Sequence, residues 1–230
     1  MESNSNVANK KQETMHIIAI LDLLGTSESI KDNSSENVMN TISYIFDKAY
    51  YTWPYLESAP DVLQRIKRVI FSDNIALALE LSESMSDDEK RSAVNDFIVY
   101  INVFQGMALK SGLFFRGGIS IGQLYMDSDK NFIWGKALID AHTLEEKVAI
   151  YPRVVLSHQF EQIELHDTTV IAKDFDGISF VDYLSIVKME FPEWIDETKE
   201  RIQDAYVKYA GKERILQKYG WLQHYIEENE

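Results

Sequence analysis

The 230-residue chain is 45% hydrophobic and 26% charged with 4 Pro and 10 Gly, which excludes collagen-like, low-complexity and largely disordered chains and suffices for one large domain with a sizeable core. Its 37 acidic residues against 23 basic ones give a formal charge of -14, so bulk attraction to nucleic acid or anionic lipid does not drive its function, and a phosphate ligand needs local help. The absence of cysteine removes disulfides, thiolate metal sites and a cysteine nucleophile, and with no apolar run near the roughly 20 residues of a membrane helix and no signal-peptide stretch in residues 1–15 it predicts a soluble cytoplasmic protein.

In chain order, residues 1–14 are rich in Asn, Ser and Lys and nearly free of apolar side chains, the composition of a mobile tail. His16 to Gly25 (HIIAILDLLG) is a short apolar run interrupted by Asp22 and closed by glycine, which predicts a buried strand entering a loop. Val38, Ile42, Ile45, Phe46 and Tyr50 then recur at helical spacing across residues 35–53. Arg65 to Leu81 (RIKRVIFSDNIALALEL) carries two apolar runs around Ser72-Asp73-Asn74, whose side chains favour turns, and reads as a β-hairpin with Asp73 at its tip. Ser86 and Glu89 have capping-box spacing ahead of the stripe Val94, Phe97, Ile98, Ile101 and Ala108, and Gly112 is placed to end that helix. Leu113 to Tyr125 (LFFRGGISIGQLY) reads as a strand whose paired glycines mark a bulge or a close backbone approach.

Ile133 to Ala149 reads as a helix with Leu138, Ala141, Leu144 and Val148 on one side, and Arg153 to Ser157 as another short buried strand. Two short β-like pieces near Thr169 and Ile178 lead to a helical C-terminus from about Pro192, with Gly211 as a break. Its apolar face is Ile215, Leu216, Tyr219, Leu222 and Ile226, and Tyr219, Trp221 and Tyr225 read as packing aromatics. The order predicts an α+β fold: a ferredoxin-like βαββαβ sheet with helices on one face over residues 15–190, and a helical C-terminal extension over 191–230.

Two acids carry the chemistry. An Asp in a turn, such as Asp73, is ordinarily a turn-former, but an acid inside an apolar strand, such as Asp22, loses hydration unless something compensates it. If the two strands are neighbours, both carboxylates meet at one sheet edge, and paired carboxylates suit Mg²⁺, which is completed by water and substrate phosphates. Leu23, Leu24, Gly25, Thr26 and Ser27 follow Asp22, and their backbone N–H groups are placed to cradle phosphate oxygens.

The segments LDLLGTS (21–27), IFSDNIALA (70–78), FRGGISIGQL (115–124) and IWGKALIDAHTLE (133–145) resemble, in order and approximate spacing, the class III nucleotide cyclase catalytic domain. The resemblance spans roughly His16 to Ser157. It implies that Asp22 and Asp73 hold two Mg²⁺ or Mn²⁺ ions, with the Leu23 carbonyl completing one site. It also implies attack of a ribose 3′-hydroxyl on the α-phosphate with loss of pyrophosphate, a reaction in which positioning and charge neutralisation supply most of the rate. The family's active sites form across a head-to-tail pair, so a homodimer is implied too.

The departures from the family pattern sharpen the reading. Ile139 and Thr143 stand where the family places a transition-state Asn and a catalytic Arg, and Val69 and Phe132 stand where it selects a purine base. Arg116 is the first candidate to replace the missing cation, since guanidinium binds phosphate in a fixed fork; the alternative is an Arg paired with an acid. Lys136, Asp140 and His142 lie on the helix after Trp-Gly, within reach of a partner's site, whereas His158 and His166 read as ordinary loop positions.

Retention of both metal acids beside a non-purine pocket resembles the stand-alone bacterial pyrimidine cyclases of Pycsar antiphage defence. That resemblance implies conversion of UTP, less readily CTP, to a cyclic nucleotide read by a separate effector, with no nucleic-acid or membrane partner. The competing expectation is a catalytically silent nucleotide-binding or dimerisation module. A diguanylate cyclase is excluded because Ser72-Asp73-Asn74 is not the Gly-Gly-acid-Glu-Phe hairpin that activity needs. A purine cyclase with other selector residues is separated by which triphosphate is consumed.

Overall fold

A computed structural model describes residues 12–25, 35–51, 63–165 and 170–229. Strand β1 (Thr14–Leu23) begins two residues ahead of the expected start and is buried continuously from His16 to Leu21. It pairs antiparallel with β3 (Asn74–Glu80) on one side and with β4 (Phe115–Asp127) on the other. Strand β2 (Lys67–Phe71) flanks β3, closing the expected hairpin around Ser72 and Asp73. Beyond β4 lie β6 (Val154–Leu156), the one parallel neighbour among the described strands, then β8 (Ser179–Val181) and β7 (Ile171–Lys173). The order is β2-β3-β1-β4-β6-β8-β7, with β5 (Phe132–Trp134) folded back on the far end of β4.

Helices cover both faces of this sheet, a correction to the one-face expectation that follows from β1 itself. A strand without a polar side needs apolar cover above and below. Ile17, Ala19 and Leu21 pack with α1 (Ser35–Tyr51) and α2 (Asp87–Lys110), through Ile45, Phe97 and Phe104 among others. Ile18 and Ile20 point the opposite way, into a cluster closed by Ala137 and Ala141 of α3 (Lys136–Lys147).

The paired glycines of β4 serve close approach and not a bulge, since the register with β1 is unbroken from Leu124 to Phe115. A Cβ on Gly118 would lie 2.4 Å from the Ala141 carbonyl oxygen and 2.5 Å from Leu144 Cβ, so glycine lets α3 rest on the strand. Residues 132–134 form β5, where a helix was expected from Ile133. Gly135, at φ +144, turns the chain out of that strand, and a Cβ there would meet the Gln123 carbonyl at 2.5 Å.

The capping box at Ser86 is formed, with the Ser86 N–H donating to Glu89 Oε2 at 2.7 Å, and α2 ends before Gly112 at φ +70. The C-terminal region adds α4 (Tyr183–Glu190), which the sequence pattern did not signal, then α5 (Glu193–Lys208) and α6 (Glu213–Glu228) on either side of Gly211. Trp221, Leu222, Tyr225 and Ile226 of α6 pack with Phe180, Tyr183 and Leu184 in a second core. Polar bonds fix this helix. Trp221 Nε1 donates to Asp174 at 2.8 Å, Tyr225 donates to Asp182, and the buried Arg153 pairs with both Asp174 and Asp176. Among the described residues no helix is long and apolar enough to cross a membrane.

Candidate active site

The register brings the two acids to one edge. Asp22 faces Asn74 across β3 and Arg116 across β4, and the Leu23 N–H donates to the Asp73 carbonyl at 3.1 Å. The hairpin tip, with Ser72 at φ +58, therefore lies beside the end of β1. Leu24 is tied to Phe114 by a 2.8 Å backbone bond, and the chain turns at Gly25, φ +76. Leu23, Leu24 and Gly25 thus adjoin the acids, but the Leu23 and Leu24 N–H groups expected to cradle phosphate are already taken by the Asp73 and Phe114 carbonyls, and Thr26 and Ser27 lie outside the described residues.

Arg116 joins two acidic residues. Its Nε donates to Asp22 Oδ2 at 2.7 Å, its Nη2 lies 2.7 Å from Glu145 Oε1, and its Nη1 donates to the Glu145 carbonyl at 3.1 Å. The acid-paired alternative for Arg116 is thus realised in this state. Glu145, in the last turn of α3, is 3% exposed, and burial pushes its carboxyl above the usual carboxylate range, with Arg116 opposing and Asp22 adding to the rise. His142 Nδ1 lies 3.1 Å from its other oxygen. Sequence reasoning gave Glu145 no role. Its one sequence signal was its place four residues after Ala141, beside Leu144 of the apolar side of that helix.

The donor set fits a hard divalent cation. Asp73 Oδ1 accepts from Asn74 at 3.3 Å and Asp22 Oδ2 takes Arg116, leaving each acid one carboxylate oxygen without a hydrogen bond among the described residues. Two carboxylates, with substrate and water oxygens for the rest, are the usual protein share of a Mg²⁺ or Mn²⁺ site. The described residues include no cluster of three acids or histidines able to hold a metal by themselves.

Two expected substrate contacts are placed elsewhere. Val69, 4% exposed, points into the core with Ile20 and Ala76, so its side chain offers no surface to a base in this chain. Phe132 pairs with Asp127, eleven residues along β4 from Arg116, and is half-exposed at the opposite end of that strand. Ile139, 63% exposed, and Thr143 lie one turn apart on the outer face of α3, the Thr143 hydroxyl donating to the Ile139 carbonyl at 2.7 Å. Lys136 and Asp140 pair with each other at 2.5 Å. His158 is exposed, and His166 lies outside the described residues.

A cavity of about 120 Å³ opens between the Leu24–Gly25 turn and α6, with Phe114, Tyr209, Lys218 and Tyr219 on its walls. Lys218 is half-buried. Burial, chiefly, and the Arg116 charge pull its ammonium below the usual lysine range, while Asp22 opposes the shift.

No family model and no curated protein matches the chain. Solved structures are similar in fold. The monomeric guanylyl cyclase domain of the RhoGC fusion protein from the aquatic fungus Blastocladiella emersonii superposes with a TM-score of 0.50 at 11% identity, covering 74% of this chain and 95% of that one. The adenylyl cyclase CyaB from P. aeruginosa gives 0.48 at 17% identity, over 74% of this chain and 94% of that one. The catalytic core of a rhodopsin-guanylyl cyclase with converted specificity, in complex with ATPαS, gives 0.49 at 14%, over 74% and 97%. The mainly antiparallel sheet and its helices have the class III nucleotide cyclase fold.

Proposed function

We propose that this protein is a nucleotide cyclase that converts a pyrimidine nucleoside triphosphate, UTP in preference to CTP, to the 3′,5′-cyclic monophosphate and pyrophosphate. It acts as a cytoplasmic homodimer, and its product is the second messenger of an antiphage defence read by a separate effector. The observation that carries the reading is the meeting of Asp22, Asp73 and Arg116 at one sheet edge of a cyclase fold.

Asp22 and Asp73, with the Leu23 carbonyl, would hold two Mg²⁺ or Mn²⁺ ions. Bound there, the ions supply charge neutralisation and a more acidic ribose hydroxyl. Arg116 binds phosphate. Glu145 and its carbonyl hold the two terminal nitrogens, leaving the Nε edge to exchange Asp22 for a phosphate oxygen. The pyrimidine preference rests on the sequence resemblance alone, since Val69 is buried and Phe132 lies at the far end of β4, so neither side chain selects the base within this chain.

One observation favours a silent nucleotide-binding module. The Arg116 guanidinium already neutralises Asp22, and Ile139 and Thr143 provide no transition-state charge. Incubation of the protein with each of the four ribonucleoside triphosphates and Mn²⁺, with products separated by mass spectrometry, decides between the two. Cyclic UMP or CMP that disappears in Asp73→Ala supports the cyclase. No cyclic product from any triphosphate, across several metal and protein concentrations, supports the silent module.

A further inference from the structure

Arg116 lies between two carboxylates, so a triphosphate arriving at this edge needs another cation to balance it. The fold supplies one from a segment outside the cyclase-like motifs. Lys218 stands on α6 and lines the same cavity as the Leu24–Gly25 turn, which follows Asp22 and Leu23. Among the described residues its ammonium has no hydrogen bond or ion pair, although both Arg116 and Asp22 act on its charge. A lysine with nothing to bind extends its head into water along its flexible stem. This one stays half-buried on the cavity wall, where Arg116 disfavours its charge and Asp22 favours it, with no anion bonded to its ammonium among the described residues.

The other walls of the cavity are largely apolar, with Leu113, Ile215 and Leu222 among them, so Lys218 is its one charged side chain among the described residues. No described residue lies within 4 Å of the position a Cβ would take on Gly25, so none of them blocks approach to the turn's backbone. The helix is held rigidly at that height. Tyr219 packs edge-on against Phe114 at 5.7 Å and stacks on Tyr209 at 6.0 Å, while Trp221 and Tyr225 anchor the following turn. The cavity volume of about 120 Å³ is well below the roughly 300 Å³ at which pockets begin to enclose a whole small-molecule ligand, so it takes phosphate groups and leaves the nucleoside outside.

We propose that Lys218 is a phosphate-binding residue whose ammonium, carried by the C-terminal helix, grips the terminal phosphates of a nucleotide laid along the Leu24–Gly25 turn. The extension then completes the substrate site in addition to packing beside it. This assignment rests on the cyclase reading only in taking a triphosphate as ligand, and its test needs no turnover.

The test titrates the full chain with the manganese complex of inorganic tripolyphosphate, followed by calorimetry, for wild type, Lys218→Gln and Lys218→Arg. Loss of one charge-assisted hydrogen bond is expected to weaken binding by about tenfold or more in Lys218→Gln, while Lys218→Arg stays within about threefold of wild type. Lys218→Met, which keeps the apolar stem, gives the same reading if the Gln variant misfolds, and a thermal midpoint no lower than wild type confirms an intact fold. Equal affinity in the charge-free variants, or no binding by wild type, overturns the assignment. Cyclic nucleotide formation is read separately. Product with an unchanged KM in Lys218→Gln would remove Lys218 and keep the cyclase, and a tripolyphosphate effect without any product would do the reverse.

Discussion

Arg116 donates to both Asp22 and Glu145, so removing either acid shifts its charge onto the other instead of freeing it. Glu145→Ala leaves a cavity and a half-paired guanidinium, and is expected to lower the unfolding free energy by about 2 kcal/mol in urea titration, since Asp22 still compensates part of the charge. Asp22→Asn is expected to abolish cyclic nucleotide formation while leaving a folded protein, because Glu145 retains Arg116. Unchanged turnover in that variant would remove the metal assignment. Of these three residues, Asp22 and Arg116 were legible in the sequence, the first because an acid in an apolar strand demands a partner. Glu145 was not legible as a site residue. Its burial arises where α3 rests directly on Gly118 of β4, a contact distant in sequence, and local sequence around an acid near a helix end looks solvated. His16 offers a pH test at the same scale. It is 4% exposed, and burial, chiefly, holds its imidazole below the usual histidine range although it donates to the Thr14 carbonyl at 3.0 Å. The unfolded chain therefore takes the proton first as pH falls below about 6.5, so the stability contributed by neutral His16 is complete above that value and declines below it. The thermal midpoint of wild type is expected to fall more steeply between about pH 7 and pH 5 than that of His16→Gln.

Among elements, α3 depends on backbone contact with β4 more than on side-chain interdigitation. Gly118→Ala would press a methyl into the Ala141 carbonyl and Leu144 Cβ, and is expected to cost about 3 kcal/mol in denaturant melts. Gly25→Ala, strained by its φ of +76 but with no described residue within 4 Å of the added methyl, is expected to cost only about 1 kcal/mol. A reversed ranking would mean that α3 does not seat on Gly118. The sequence pattern predicted the hairpin, the capping box on α2 and the break at Gly211, and at the paired glycines it left a bulge or a close approach, of which the fold takes the second. It missed α4, whose N-cap Asp182 follows a run that reads equally well as strand, and it extended α3 backward over β5. Both errors have one cause. Short apolar runs carry no period, and only the fold decides whether they pair with a strand or wind into a helix.

For the whole molecule, the β5–α3 corner presents an exposed apolar surface. Trp134 and Ile139 are 66% and 63% exposed, on either side of Gly135, and Phe132 adds to them at 44%. Large apolar side chains gathered near one corner mark an interaction surface more often than a solvated one. The cyclase reading gives that surface an occupant, a second copy, and places Ile139 and Thr143 on the outer face of α3 where a partner would meet them. Trp134→Glu is expected to shift the protein from dimer to monomer in light scattering and to abolish cyclic nucleotide formation with it, while the thermal midpoint changes little because the side chain is exposed. Loss of product without loss of the dimer would mean that Trp134 acts within one chain. A dimer that persists with full activity would mean that the paired surface lies elsewhere, and the exposed positions Ile139 and Thr143 would then have no partner to meet.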